Sequence, residues 1–252
     1  MPADTRRTKR DRLAARRAAE AAARARAERR RRTVLGGAVA AVLVVVAVVV
    51  AIVVQSQRTA TPDDAATPAG TVDGGTAVEV GAADAPVTLD VYEDFQCPVC
   101  ASFEAEAGGT IQQLVDDGEV VVRYRPMAFL DRASSTGYST RALNAAAVVL
   151  DRAGPEAFTR FHELLFAEQP AEGTAGLDDD RLVELAARAG ATGDDVAEGI
   201  RDREFEDWTA TVTDAASRAG ITGTPTVLVD GVALDPGQLT AEGLAAAVAA
   251  AG

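Results

Sequence analysis

The 252-residue chain is poor in the residues that build covalent and metal frameworks: it has two cysteines, one histidine, one tryptophan and two methionines. Two cysteines exclude a disulfide-dense scaffold. Together with a single histidine they exclude most zinc-finger and zinc-ribbon designs within one chain. Lysine is almost missing, Lys9 being the only one, so arginine carries the positive charge. Basic residues are also scarce beyond the start of the chain. Residues 1–33 hold 13 Lys and Arg against four Asp and Glu, whereas the rest holds 12 against 34. An acidic body of this kind repels polyphosphate and is not a general nucleic-acid binder. Apolar residues, by contrast, make up 48% of the chain, which excludes a wholly disordered protein. The length suits one good-sized domain with accessories.

The accessories come first. Residues 1–33 form a basic tail whose Ala and Arg content is compatible with helix but shows no apolar face. It reads as a solvated tail, with a polyanion- or ribosome-binding arm as the sharper alternative. Val34–Val54 is then a run of 21 residues without a charged or polar side chain. As a helix it spans roughly 32 Å, about the hydrocarbon thickness of a bilayer. It is longer than the apolar core of a cleaved signal peptide, so a transmembrane signal anchor is expected over 34–54. The basic residues precede it, which puts residues 1–33 in the cytoplasm and the rest outside. Residues 55–76, with Pro62, Pro68, Gly70, Gly74 and Gly75, read as a flexible linker. The globular domain is expected over 77–252.

Within the domain, alternating Val87, Leu89 and Val91 predict a strand over 87–92. Helical stretches follow it through about Ala107 and over 111–115. Glu119–Tyr124 reads as a buried strand. Helices are expected over 139–152, 155–167, 178–189 and 202–219. Pro155 suits a first turn, and Gly190 and Gly220 suit C-terminal caps. Thr226–Val229 runs into Asp230-Gly231, a hairpin signal, with Val232–Leu234 as its partner. Thr240 caps a closing helix. The order predicts one α/β domain with a helical insertion over about 131–219.

The cysteines, Cys97 and Cys100, stand three apart directly after the first strand. On one helical turn their side chains share a face and approach disulfide distance. Pro98 fits the first turn, where its missing N–H costs nothing. The free N–H groups and dipole of that turn favour a thiolate at Cys97, the species that attacks disulfides. Cys100, deeper in the turn, would resolve the mixed disulfide. A structural zinc site lacks ligands, and a purely structural disulfide across so small a loop constrains little of the unfolded chain. A redox pair is the favoured reading.

A second motif, Gly223-Thr224-Pro225-Thr226, lies more than 120 residues further on, where a strand begins with proline. The strand–Cys97-Pro98-Val99-Cys100–helix unit and this later Thr-Pro before a strand together resemble the thioredoxin superfamily. The intervening helical block and the upstream Asp94-Phe95-Gln96 are similar to its DsbA-like, membrane-anchored Gram-positive branch. The resemblance covers about residues 78–250. It implies a thioredoxin-like fold with a helical insertion, preceded by a single transmembrane helix. It also implies a cis Thr224–Pro225 bond beside the cysteines, and a Thr224 backbone that pairs with extended substrate. The Thr224 hydroxyl is expected to favour the Cys97 thiolate; the plainer alternative is a turn residue. Between the cysteines Pro98-Val99 lacks the histidine of the most oxidising relatives, which implies a weaker oxidant. The buried acid that many relatives carry six residues before the first cysteine is replaced by Val91, with Asp90, Glu93 and Asp94 nearby. Asp94 is either a proton relay or a cap on the strand end. His162, among Phe158, Phe161 and Phe166, reads as a helix-packing residue rather than a redox or metal group.

The expected activity is that of an extracytoplasmic, membrane-tethered thiol–disulfide oxidoreductase oxidising exported proteins. It needs no cofactor and no metal. The resemblance implies a quinone-coupled membrane partner, DsbB-like or VKOR-like, to reoxidise it. A reductase or isomerase driven by a transmembrane electron donor is the rival enzyme, and a redox-inactive peptide-binding module the non-enzyme rival. Protease added to spheroplasts is expected to remove the acidic domain while sparing the basic tail; full protection of the domain would reverse this topology.

Overall fold

The structure, a computed structural model, describes residues 65–252. The basic tail, the apolar run over 34–54 and residues 55–64 of the expected linker lie outside the described residues. Among the described residues no helix is long and apolar enough to cross a membrane.

Six strands form one sheet in the order β1-β2-β4-β3-β5-β6. They are β1 (Thr71–Val72), β2 (Ala77–Val80), β3 (Val87–Glu93), β4 (Val120–Pro126), β5 (Thr226–Val229) and β6 (Val232–Ala233). The central strand, β3, is parallel to β4 and antiparallel to β5. Val87, Leu89 and Val91 are buried, as their alternation predicts, and so are Tyr92 and Glu93 at the strand end. The β3–β4 crossover is α1 (Pro98–Asp116). Sequence suggested two helical pieces here. The structure runs them together through Gly108 and Gly109, because the apolar stripe Phe103, Ala107, Ile111 continues unbroken into the core.

The ordered domain starts before the expected boundary at Ala77. Thr71 pairs with Val78 and Val72 with Ala77, which shortens the linker expected over 55–76. The physical reason is charge. Arg125 on β4 reaches Asp90 at 2.6 Å and also pairs with Asp73, while its guanidinium donates to Thr76 Oγ1 at 3.2 Å. The edge is thereby tied to the centre of the sheet. The sequence shows none of this, because β1 and β2 have too few residues for a period to emerge.

The helical insertion contains α2 (Tyr138–Ala167), α3 (Asp179–Ala189), α4 (Asp194–Arg201) and α5 (Glu206–Arg218). α2 is broken at Gly154, whose φ of 79° and ψ of −179° only glycine adopts readily, with Pro155 opening the next segment. The two helices expected on either side of that break are therefore present. The helix expected over 202–219 is present but starts later, at Glu206, because residues 202–205 form the turn between α4 and α5, with Arg203 at φ 56°; α4 itself was not expected. Asp178 caps α3 by accepting from Arg181 N at 2.8 Å, and Thr240 caps α6 (Ala241–Ala251) by accepting from Gly243 N at 3.1 Å.

Asn144, fully buried on α2, joins the insertion together. Its amide donates to the carbonyls of Gly199 and Ile200 at 3.2 and 3.3 Å and accepts from Phe205 N at 2.8 Å. Two of these backbone groups close the last turn of α4 and the third sits at the start of α5. Asn144→Ala strands them in the core, and urea unfolding is expected to show a loss of roughly 2–4 kcal/mol.

Candidate active site

The register of the sheet builds the site. Tyr92 is paired with Thr226, so the segment before β5 arrives beside the C-terminal end of β3, where the cysteine loop leaves the sheet. The Thr224–Pro225 peptide is cis. The backbone oxygen of Thr224 lies 3.4 Å from Cys97 Sγ. Pro98 occupies the first turn of α1 and Cys97 is the residue capping it. Cys97 N also donates to Asp94 O at 2.9 Å, closing the turn between strand and helix. Val99 is 59% exposed, Cys97 6% and Cys100 0%, so the first cysteine stands at the rim with its resolving partner beneath it.

Both cysteines are free thiols in the structure, and their surroundings split them. Cys97 is lowered from the ordinary 9.0 to about 5. The Cys100 thiol donating to it is the main cause, opposed by partial burial; the Thr224 side chain and the N–H groups of Cys100 and Val99 add to the lowering. Cys100 moves the other way, pushed far up by burial, by its bond to Cys97 and by the negative charge of Glu93. The chemistry that follows is one stable thiolate nucleophile and leaving group over one thiol that stays protonated.

Asp94 is fully buried and fully engaged. It accepts from Gln96 N at 2.9 Å, Leu130 N at 2.8 Å and the Ser139 hydroxyl at 2.6 Å. Burial raises its pKa to about 6 despite these bonds. Its carboxylate therefore knits the strand end to the loop after β4 and to α2. Glu93, raised to about 8 chiefly by burial and further by the charge of Cys97, in turn raises Cys100 by its own negative charge.

Three further residues went unread in the sequence as parts of this site. Glu93 contacts His162 Nε2 at 2.8 Å. Glu104 follows Cys100 by four residues on α1 and so shares its helix face, a spacing that would have identified it. Gln169, just beyond α2, donates to the carbonyls of Phe95 and Cys97 at 3.1 and 2.9 Å, holding the loop from the insertion side. His162 is 1% exposed and packed by aromatic rings, as a packing histidine should be, yet its polar edge meets the acid under the cysteines.

Beside α1 a cleft of about 690 Å³ is lined by Glu104, Gly108, Gln112, Tyr124, Glu163 and neighbouring residues.

The sequence model of the thioredoxin family matches residues 73–250 of this chain. The serine/threonine-protein kinase PknE of Mycobacterium tuberculosis is 37% identical over 118 residues, which are 45% of this chain and 21% of the kinase. The chain thus spans about a fifth of the length of that curated relative, 21%. Among solved structures, the reduced disulfide bond oxidoreductase DsbG of Mycobacterium tuberculosis is 36% identical with a TM-score of 0.61, the match covering 69% of this chain and 86% of that one. Reduced DsbA of the same organism is 33% identical with a TM-score of 0.57, over 71% of this chain and 100% of that one.

The lowered Cys97 value carries a pH signature. The ultraviolet thiolate absorbance of the reduced protein is expected to rise around pH 5 and to be missing in Cys97→Ser. Because the folded value lies below the unfolded one, the reduced protein should gain stability over Cys97→Ser as pH rises from about 5 towards 9.0 and lose that advantage on acidification. A thiolate midpoint near 9 would contradict the geometry.

Proposed function

The chain belongs to the thioredoxin family, and on that premise we propose that it is a membrane-tethered, extracytoplasmic thiol–disulfide oxidoreductase that oxidises cysteine pairs in exported proteins. The observation that carries this reading is the stabilised Cys97 thiolate above a buried Cys100 thiol. A stabilised thiolate favours the reduced dithiol and so makes the disulfide form a better oxidant.

The reaction runs through the oxidised pair. A client thiolate attacks Cys97 Sγ, the Cys97–Cys100 bond breaks, and the electron pair leaves on Cys100, which takes a proton. The client's second thiolate then attacks its own sulfur in the mixed disulfide and expels Cys97 as a thiolate. The client has lost two electrons and the enzyme holds both as a dithiol. Thr224 presents a backbone edge beside Cys97 on which an extended client segment can pair as an added strand. Reoxidation calls for an acceptor of two electrons, for which a quinone-coupled membrane partner of the DsbB-like or VKOR-like kind is the chemical class.

Val99 supports a moderate rather than extreme oxidant, since it offers no cation to the thiolate. The reductase or isomerase reading shares every atom of the site and differs only in potential. A redox-inactive peptide-binding module has no use for a thiolate held near pH 5. The full chain in detergent micelles, equilibrated with glutathione buffers, is expected to show a potential of about −120 to −180 mV. A value near about −270 mV would assign it to the reductants instead.

A further inference from the structure

Three side chains that thiol exchange does not consume converge beneath the cysteines. Glu93 closes β3, Glu104 lies on the second turn of α1, and His162 lies in the second segment of α2. One donor atom from each sits within 4.8 Å of the other two. His162 Nε2 and Glu93 Oε2 are 2.8 Å apart. The other oxygen of Glu93 is buried without a hydrogen-bond partner, although the residue is only 2% exposed. Oε1 of Glu104 is likewise buried and unpartnered. Buried polar atoms are almost always satisfied, so an unpartnered oxygen on each of two carboxyl groups clustered with one imidazole leaves capacity for a further ligand-seeking partner.

The surroundings suit a cation. The imidazole is clamped by the rings of Phe95, Tyr124, Phe158 and Phe166, which fixes its orientation. Glu104 belongs both to the cluster and to the wall of the cleft, whose other acids include Asp116, Asp117 and Glu163. That negative wall concentrates cations at its mouth. At position 108 a Cβ would stand 3.0 Å from Glu104 Oε2, so glycine there leaves the carboxylate its place.

We propose that Glu93, Glu104 and His162 form a binding site for one divalent transition-metal cation of the zinc class, entered through the cleft and completed by water from it. One imidazole nitrogen and two carboxylate oxygens are a recognised zinc-class donor set, and they are too few oxygens for calcium. Bonds of about 2.0–2.2 Å place tetrahedral ligand atoms roughly 3.3–3.5 Å apart. Small side-chain rotations reach that spacing from the present arrangement. The dication neutralises both carboxylates. The site is independent of the direction in which the cysteines pass electrons.

The test uses the full chain in detergent micelles with the Cys97–Cys100 disulfide formed, so that thiolates cannot be ligands. Equilibrium dialysis against Co²⁺ is expected to load one ion per chain, with a visible spectrum of nitrogen and oxygen coordination and no thiolate charge-transfer band. Zn²⁺ should compete for it and raise the thermal midpoint. Glu104→Gln and His162→Asn should each weaken uptake by at least about tenfold. Glu104→Gln is the decisive variant, since it borders the cleft and keeps the shape of the side chain; its circular dichroism checks the fold. Failure of the wild-type disulfide form to take up one ion, or uptake unchanged in Glu104→Gln, overturns the proposal.

Discussion

Everything at the site depends on how β3 is held between β4 and β5. The parallel register with β4 runs from Val87 opposite Val120 to Glu93 opposite Pro126, and the antiparallel register with β5 puts Tyr92 opposite Thr226. A slip of one residue would turn Leu89 and Val91 out of the core and carry Thr224 away from Cys97. The burial of one apolar face therefore enforces the alignment of two motifs that lie more than 120 residues apart in the chain.

That alignment makes the two cysteines unlike. Cys97 stands at the end of α1 where N–H groups are free, and it receives the Cys100 thiol and the Thr224 side chain. Cys100, one turn in, is held protonated chiefly by burial, then by its bond to Cys97 and by the negative charges of Glu93 and Cys97. Three residues of separation are enough because the dielectric surroundings change steeply from the rim to the core. The same gradient keeps Glu93 and Glu104 near 8, each chiefly through burial.

The helical insertion does more than enlarge the domain. Ser139 binds Asp94, Gln169 binds the carbonyls on either side of the cysteine loop, and His162 binds Glu93. The loop between β3 and α1 is thus held from the sheet on one side and from α2 on the other. Asn144 in turn holds α4 and α5 to α2. A rigid loop keeps Cys97 in place at the helix end, and the thiolate's stabilisation depends on that position.

Local chemistry determined what could be read from the sequence alone. Alternation in Val87–Tyr92, the Cys-Pro-Val-Cys turn, Asp230-Gly231 and the cap at Thr240 each rest on contacts within a few residues. So the α/β order, the break at Gly154-Pro155 and the placing of both cysteines at the start of one helix were legible. Long-range pairing decided the rest. β2 joins the sheet by pairing with β4, Arg125 ties the turn between β1 and β2 to it through Asp73 and Thr76, and no local period announces either strand. α4 went unread because its eight residues are too few for a helical period to stand out from the surrounding turns. Asp94 and Glu93 are adjacent acids with equal local credentials. Only the tertiary structure assigns the first to tying backbone and the second to the space beneath the thiols, because successive residues at a strand end point to opposite sides.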